Sequence, residues 1–206
     1  MTDAEIDQTV SRLNRPTSGL VSVLAALLTL GSIAWAADLY TAVGLVLYNE
    51  QFLAAMLAVV LALAYLTVPR RKHGQGKLPW YDALAAVVGF VAAGYVAVEF
   101  PQLANEIAYR PLDALILSVV LLLLILEGVR RTAGPVLGII LLVFFAYAMF
   151  GHLIPGKLTG RDLQIEDLVI GLALDPQALL GIPMKIGTAV VISFLFLGQV
   201  LFLTGG

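Results

Sequence analysis

Six apolar stretches of the chain alternate with short polar connections. They lie at about Leu20–Ala37, Phe52–Val68, Trp80–Val98, Leu112–Val129, Pro135–Phe150 and Met184–Leu203. Each is close to the roughly 20 residues that a helix needs to cross the hydrocarbon of a bilayer. The pattern therefore predicts an all-α, polytopic transmembrane bundle of about six crossings.

The segment from Gly151 to Leu180 does not fit this pattern. It holds seven ionisable side chains, which are His152, Lys157, Arg161, Asp162, Glu166, Asp167 and Asp175. Apolar residues recur in it at near-helical spacing, at Leu163, Ile165, Leu168, Val169 and Leu172. This spacing predicts one amphipathic helix, which lies on the membrane surface or packs on the bundle.

The composition narrows the class of protein further. Of the 206 residues, 60% are hydrophobic and 13% are charged, against about a quarter charged in a typical soluble domain. The net charge of −2 does not favour nucleic acid as a partner, whereas membrane lipids are expected partners. There is no cysteine and there are only two histidines, so we expect no metal site and no cofactor. No nucleophile lies near a base in the pattern, and we expect no catalytic residue and no enzyme activity.

Lysine and arginine gather in alternate connections. Eight of them fall in three segments, at Arg12, Arg15, Arg70, Arg71, Lys72, Lys77, Arg130 and Arg131. The other four are spread over longer segments, at Arg110, Lys157, Arg161 and Lys185. The positive-inside rule then predicts a cytoplasmic N-terminus over residues 1–18 and, after six crossings, a cytoplasmic C-terminus.

A cleaved signal peptide is an alternative for the first crossing. The sequence Ala34–Ala36 resembles a cleavage site, but Asp3, Glu5 and Asp7 make the preceding region acidic. Signal peptides begin with a basic region instead, so a retained first helix is favoured.

Glu127, Arg130 and Arg131 are spaced to meet on one end of the fourth crossing, at i, i+3 and i+4. The spacing predicts a structural ion pair. It is either a solvated anchor at the interface or a buried pair that fixes this helix against another one. The remaining acidic residues near crossing ends are expected to be solvated, namely Asp38, Glu50, Asp82, Glu99 and Asp113.

The last crossing carries a candidate polar face made of Lys185, Thr188 and Gln199. Thr188 and Gln199 are eleven residues apart, which is about three helical turns. Such residues commonly hydrogen-bond between helices, and a solute path is the alternative. Lys185 is expected to extend to the membrane surface, with attraction of an anionic solute as the alternative.

One motif is excluded. Gly151–Lys157 fits the first part of a phosphate-binding loop, but Leu158 stands where that motif needs Ser or Thr. The segment also follows a membrane helix instead of a strand, so nucleotide binding is not expected.

Several short motifs, taken in order, resemble a known family. They are Leu78–Asp82, Leu126–Arg131, Gly181–Pro183, the phenylalanine-rich Ile192–Phe202 and Thr204–Gly206. Together they resemble the N-terminal third of the fused permeases of TRAP transporters, closest to the TAXI branch of 4TM/12TM fusion proteins. The likeness covers most of the chain from about Tyr40 onward. One departure is Lys185, where the family usually has a small residue.

The resemblance implies a function and a division of the chain. It implies a bacterial inner-membrane importer of organic acids, fed by a periplasmic substrate-binding protein and driven by a gradient of a coupling cation, sodium or proton. Residues 19–131 would form a four-helix Q-like scaffold. Residues 132–206 would hold a linking helix, the amphipathic segment and the first part of the M-like permease region. Fused members continue beyond this point, so a large M-type permease is expected as a partner subunit or as a missing C-terminal region.

Two other interpretations are left open by the residues themselves. One is a structural membrane-anchor subunit of another inner-membrane complex, and the other is a small stand-alone channel or transporter. The first four crossings contain no charged residue near their middles. This favours a supporting role over a solute-carrying one, and the residues that bind the substrate are not identified by the sequence.

Overall fold

The described part of the chain is a bundle of helices. The computed structural model describes residues 18–42, 44, 47–68, 79–106, 112–153, 160 and 164–205, and no strand occurs among them. The helices are α1 (Ser18–Ala36), α2 (Leu39–Ala42), α3 (Asn49–Thr67), α4 (Trp80–Glu106), α5 (Leu112–Thr132), α6 (Pro135–Phe150), α7 (Ile165–Leu174), α8 (Ile182–Lys185) and α9 (Ile192–Thr204). A 3₁₀ turn, Gly151–Leu153, follows α6, and a π-helical segment, Ile186–Val191, joins α8 to α9.

Six of the described helical stretches are long and apolar enough to cross a membrane. They are Gly19–Ala36, Asn49–Thr67, Trp80–Asn105, Leu112–Thr132, Pro135–Leu153 and Ile182–Thr204. The prediction of an all-α bundle of about six crossings is thus confirmed. The chain is a multi-pass membrane protein by the length and composition of its helices.

Some predictions concern residues outside the described ranges. These include the N-terminal segment before Ser18, the basic connection Arg70–Lys77, the positions Arg110, Lys157 and Arg161, and Leu158 and Leu163. Orientation in the membrane depends on most of these residues, so it stays a prediction. The division between residues 131 and 132 also stays a prediction.

Helix α3 lies at the centre of the bundle. It packs most extensively against α4 and also contacts α1 and α5. Its buried residues surround the helix and include Leu53, Leu57, Leu61 and Tyr65. Small residues on α3 and α4, such as Ala58 and Ala93, let the two backbones approach closely, which is how helices gain packing energy in lipid.

Gly89 lies at a close contact between α3 and α4. A Cβ atom added at this position would lie 3.2 Å from the Cβ of Leu61. The neighbouring Gly94 has open space instead. Gly89 is therefore required because a side chain there would crowd Leu61. Its backbone conformation is that of an ordinary α-helix.

Helix α4 is longer than the sequence pattern predicts. A polar connection was expected from Pro101, but the helix continues through Pro101 to Glu106. Proline removes the N–H that would bond to the carbonyl four residues earlier. That carbonyl belongs to Ala97, and it accepts a hydrogen bond from Nε2 of Gln51 on α3 at 3.1 Å. A side chain from another helix thus satisfies the carbonyl that proline leaves free.

The amphipathic segment packs on the bundle. Helix α7 lies against α5 and buries Leu168, Val169, Ile170 and Leu174. Ile165, at its start, is 53% exposed. The sequence left open whether this segment lies on the membrane surface or packs on the bundle. The described part of it packs on the bundle.

Helices α6 and α9, like α1, are covered far less than α3. Only 11% of the apolar window in Pro135–Leu153 and 6% of that in Ile182–Thr204 is buried, against 44% for Asn49–Thr67. Helix α6 contacts α5 and α7, and α9 contacts α1. Their apolar surfaces therefore face the surrounding bilayer or a partner over most of their circumference.

Candidate functional site

Three helix ends meet at one end of the bundle. Because α3, α4 and α5 run alternately up and down, the last turn of α3, the first turn of α4 and the last turn of α5 come together. They bring Tyr65, Asp82, Glu127, Arg130 and Arg131 into contact. We call the four charged residues among them, Asp82, Glu127, Arg130 and Arg131, the ion cluster.

Arg131 is the centre of the ion cluster. Its Nη1 donates to Oδ1 of Asp82 at 2.7 Å, and its Nε donates to Oε1 of Glu127 at 2.9 Å. The side chain of Arg131 is 8% exposed and that of Asp82 is fully buried. Arg131 therefore joins α4 to α5 by a buried pair between residues 49 positions apart.

Arg130 forms the outer part of the ion cluster. Its Nε and Nη2 donate to the two oxygens of Glu127, both at 2.7 Å, in a bidentate arrangement. The side chain of Arg130 is 43% exposed and that of Glu127 is 28% exposed. This pair is thus partly solvated, whereas the pair of Arg131 with Asp82 is not.

Tyr65 closes the ion cluster from α3. Its ring lies 4.6 Å from the guanidinium carbon of Arg131, a distance at which a cation and an aromatic ring attract each other. Its hydroxyl donates to the backbone carbonyl of Leu124 at 2.8 Å. The third helix is therefore fixed to the same arginine and to the backbone of α5.

The charges of the ion cluster agree with the helix ends on which they lie. Asp82 is in the first turn of α4 and the two arginines are in the last turn of α5. Acidic groups at an N-terminus and basic groups at a C-terminus are stabilised by the helix dipole. The four charges balance, and each carboxylate is held by arginine. This arrangement suits a clamp between helices better than proton transfer.

The predicted pairing of Glu127 with Arg130 and Arg131 is present. The bond to Arg130 is partly solvated and the bond to Arg131 is mostly buried, so the pairing combines the solvated anchor and the buried pair. The expectation that Asp82 is solvated is wrong, because Arg131 reaches it inside the bundle. Asp82 and Tyr65 were thus missed as parts of the site. A signal was available, since all of these residues fall at the same side of the predicted topology.

The candidate polar face of the last helix is not continuous. Thr188 is 4% exposed and donates to the carbonyl of Met184 at 2.8 Å, while Lys185 and Gln199 are exposed. The π-helical segment from Ile186 to Val191 lies within this stretch. Thr188 is therefore buried against its neighbours, whereas Lys185 and Gln199 are not. A common role for these three side chains stays a prediction.

No group of three or more metal-binding side chains occurs within the part of the chain that the structure describes. Comparison with protein families, with characterised protein sequences and with solved structures finds no match to this chain.

Proposed function

We propose that this chain is the membrane scaffold part of a TRAP-type, binding-protein-dependent secondary transporter of the TAXI branch. The complete transporter imports organic acids and is driven by a cation gradient. One observation carries the proposal. Two of the motifs that resemble this family, Leu78–Asp82 and Leu126–Arg131, are far apart in sequence, and Asp82 and Arg131 within them form the buried pair that joins α4 to α5. The residues that carry the resemblance thus have a shared physical role.

The helices of the bundle support a scaffold role over a solute-carrying one. Solute sites in secondary transporters are commonly built from broken helices near the middle of the membrane. Helices α1, α3 and α5 are unbroken, and α4 continues through Pro101. Ionisable residues in these four spans lie toward the helix ends. Such helices hold a position in the bilayer and provide no charged site along it.

The scaffold needs a partner under this proposal. Helices α6 and α9 present apolar surface around most of their circumference. A large M-type permease, as a separate subunit or as a continuation of the chain, would cover part of that surface. A periplasmic substrate-binding protein would deliver the solute to it.

The proposal includes the bacterial inner membrane and a cytoplasmic N-terminus. Single cysteines placed at Gly74 and Gly160 test the orientation, because the chain has no natural cysteine. We expect an impermeant maleimide to label Gly160→Cys in intact spheroplasts and Gly74→Cys only after lysis. Labelling of both positions from outside would contradict the six-crossing topology.

The function is tested by purifying the tagged full chain from its native membrane and identifying the proteins that accompany it. We expect a large multi-helix permease, and deletion of the chain should abolish uptake that depends on a periplasmic binding protein. Uptake of a panel of radiolabelled dicarboxylates and amino acids, with and without a sodium or proton gradient, then gives the solute and the coupling ion.

The same experiment separates the alternatives. Accompanying subunits of a respiratory or other enzyme complex, with uptake unchanged, would favour the membrane-anchor interpretation. Solute flux into liposomes that contain this chain alone would favour a stand-alone transporter. Either outcome would contradict the scaffold proposal.

A further inference from the structure

A cleft runs along the contact between α5 and α6, and we call it the α5–α6 cleft. Its smaller part has a volume of about 310 Å³ and lies between Leu126, Ile139 and Leu142, with Glu127 and Arg130 at its end. Its larger part has a volume of about 480 Å³ and extends past Phe145 toward α7. Leu123, Leu126 and Leu142 line both parts, so the two adjoin.

The α5–α6 cleft is charged at one end and apolar along the rest. Arg130 has five N–H donors, and its Nε and one hydrogen of Nη2 bond to Glu127. The side chain is 43% exposed, so the other donors are accessible at the mouth of the cleft. Glu127 also accepts from Arg131, which is held by Asp82 as well. The ion cluster is therefore neutral as a whole, and Arg130 is its member with N–H donors left over at the cleft.

The length of the α5–α6 cleft corresponds to one leaflet of a bilayer. On α5 it extends from Arg130 to Val119, which is about 16 Å at the rise of an α-helix. Half of the hydrocarbon core of a bilayer is about 15 Å thick. An arginine at the end of α5 therefore lies one acyl-chain length from the far end of the cleft.

We propose that the α5–α6 cleft binds an anionic glycerophospholipid of the surrounding bilayer, with one acyl chain along the cleft and the phosphate on Arg130. Guanidinium groups bind phosphate oxygens through several parallel hydrogen bonds. The acyl chain would lie along the apolar part of the cleft, and the phosphate of the same molecule would accept hydrogen bonds from Arg130 at its charged end. The lipid would fill the space that α6, which has little packing of its own, leaves beside α5.

A helix of a partner protein is the other candidate occupant, and the charge at the mouth argues against it. A helix lying over the cleft would cover the exposed part of Arg130 and would have to provide an acceptor at that depth. An anionic phospholipid already carries a phosphate at that depth, and unlike a zwitterionic one it has no headgroup cation that competes with Arg130 for the phosphate. The smaller part of the cleft, with a volume of about 310 Å³, also holds a single acyl chain more readily than a helix, which is about 10–12 Å across with its side chains.

The test uses the full-length chain in mixed micelles with equal amounts of phosphatidylglycerol and phosphatidylcholine that have identical acyl chains. Native mass spectrometry counts the lipids that stay bound. We expect the chain to retain phosphatidylglycerol preferentially. Arg130→Gln should reduce this preference about tenfold, the equivalent of one charge-assisted hydrogen bond. Lys185→Gln removes an exposed positive charge elsewhere and should leave the preference unchanged.

A second pair of variants tests the apolar part of the cleft with the ion cluster intact. Leu142→Trp should fill the cleft and reduce the retention of both lipids severalfold. The control Val143→Trp places the same ring on the exposed side of α6, where residue 143 is 61% exposed, and should retain lipid as the unmodified chain does. Glycerol 3-phosphate, which has the phosphate but no chains, should not displace the lipid.

Two results would overturn the proposal. One is an unchanged preference for phosphatidylglycerol in Arg130→Gln, together with equal lipid retention in the two tryptophan variants. The other is loss of a co-purifying membrane protein from Leu142→Trp with no change in bound lipid, which would assign the cleft to a partner helix. If Arg130→Gln does not fold, the tryptophan pair decides the question.

Discussion

We predict that the members of the ion cluster differ strongly in their contribution to the free energy of unfolding, because Asp82 is buried and Arg130 is not. Asp82→Asn keeps the shape of the side chain and removes its charge. Breaking a buried ion pair on one side costs about 3–5 kcal/mol, because the other charge is left without compensation. Arg131 keeps its bond to Glu127, so we expect a loss toward the lower end of this range or slightly below it, about 2–3 kcal/mol.

Arg130→Gln is the matched control for Asp82→Asn. It also removes one charge from the ion cluster, but Arg130 is 43% exposed and its partner Glu127 is 28% exposed. Solvent screens this pair, and the expected loss is at most about 1 kcal/mol. The difference between the free energies of unfolding of the two variants therefore measures how much burial strengthens the pair of Asp82 with Arg131.

The assay is equilibrium unfolding of the purified chain in mixed micelles with increasing dodecyl sulfate, followed by far-ultraviolet circular dichroism. A double-mutant cycle of Asp82→Asn with Arg131→Gln isolates the pair, and we expect a coupling energy of about 2 kcal/mol or more. Equal losses for Asp82→Asn and Arg130→Gln, or a coupling energy near zero, would show that the buried clamp between α4 and α5 does not exist.

Two further predictions concern the contact between α3 and α4. Gly89→Leu should cost about 1–3 kcal/mol by overpacking, since even a Cβ atom there lies 3.2 Å from a neighbour, whereas Gly94→Leu should stay within about 0.5 kcal/mol; equal unfolding midpoints for the two would refute the close approach. Gln51→Ala should cost about 1–2 kcal/mol because the carbonyl of Ala97 loses its donor. This loss should shrink in a Pro101→Ala background, where the new N–H can bond to the same carbonyl, and an undiminished loss in the double variant would contradict this role of Gln51.

The sequence by itself determined the fold class and most of the membrane helices. A helix that crosses a bilayer must satisfy its backbone hydrogen bonds within its own segment, so its existence depends on a local run of apolar residues. This is why the bounds of α6, Pro135–Phe150, were predicted without error. Local spacing likewise determined the pairing of Glu127 with Arg130 and Arg131, because residues three and four apart meet on one helix.

Only the tertiary structure decided the features that depend on another helix. The continuation of α4 past Pro101 depends on a donor from Gln51, which is 46 positions from the carbonyl that it reaches. The burial of Asp82 depends on Arg131 in the same way. In both cases, a backbone or charged group that looks unsatisfied or solvated in the sequence finds its partner through packing between segments that are distant along the chain. The π-helical segment in the last crossing is likewise not revealed by the apolar pattern.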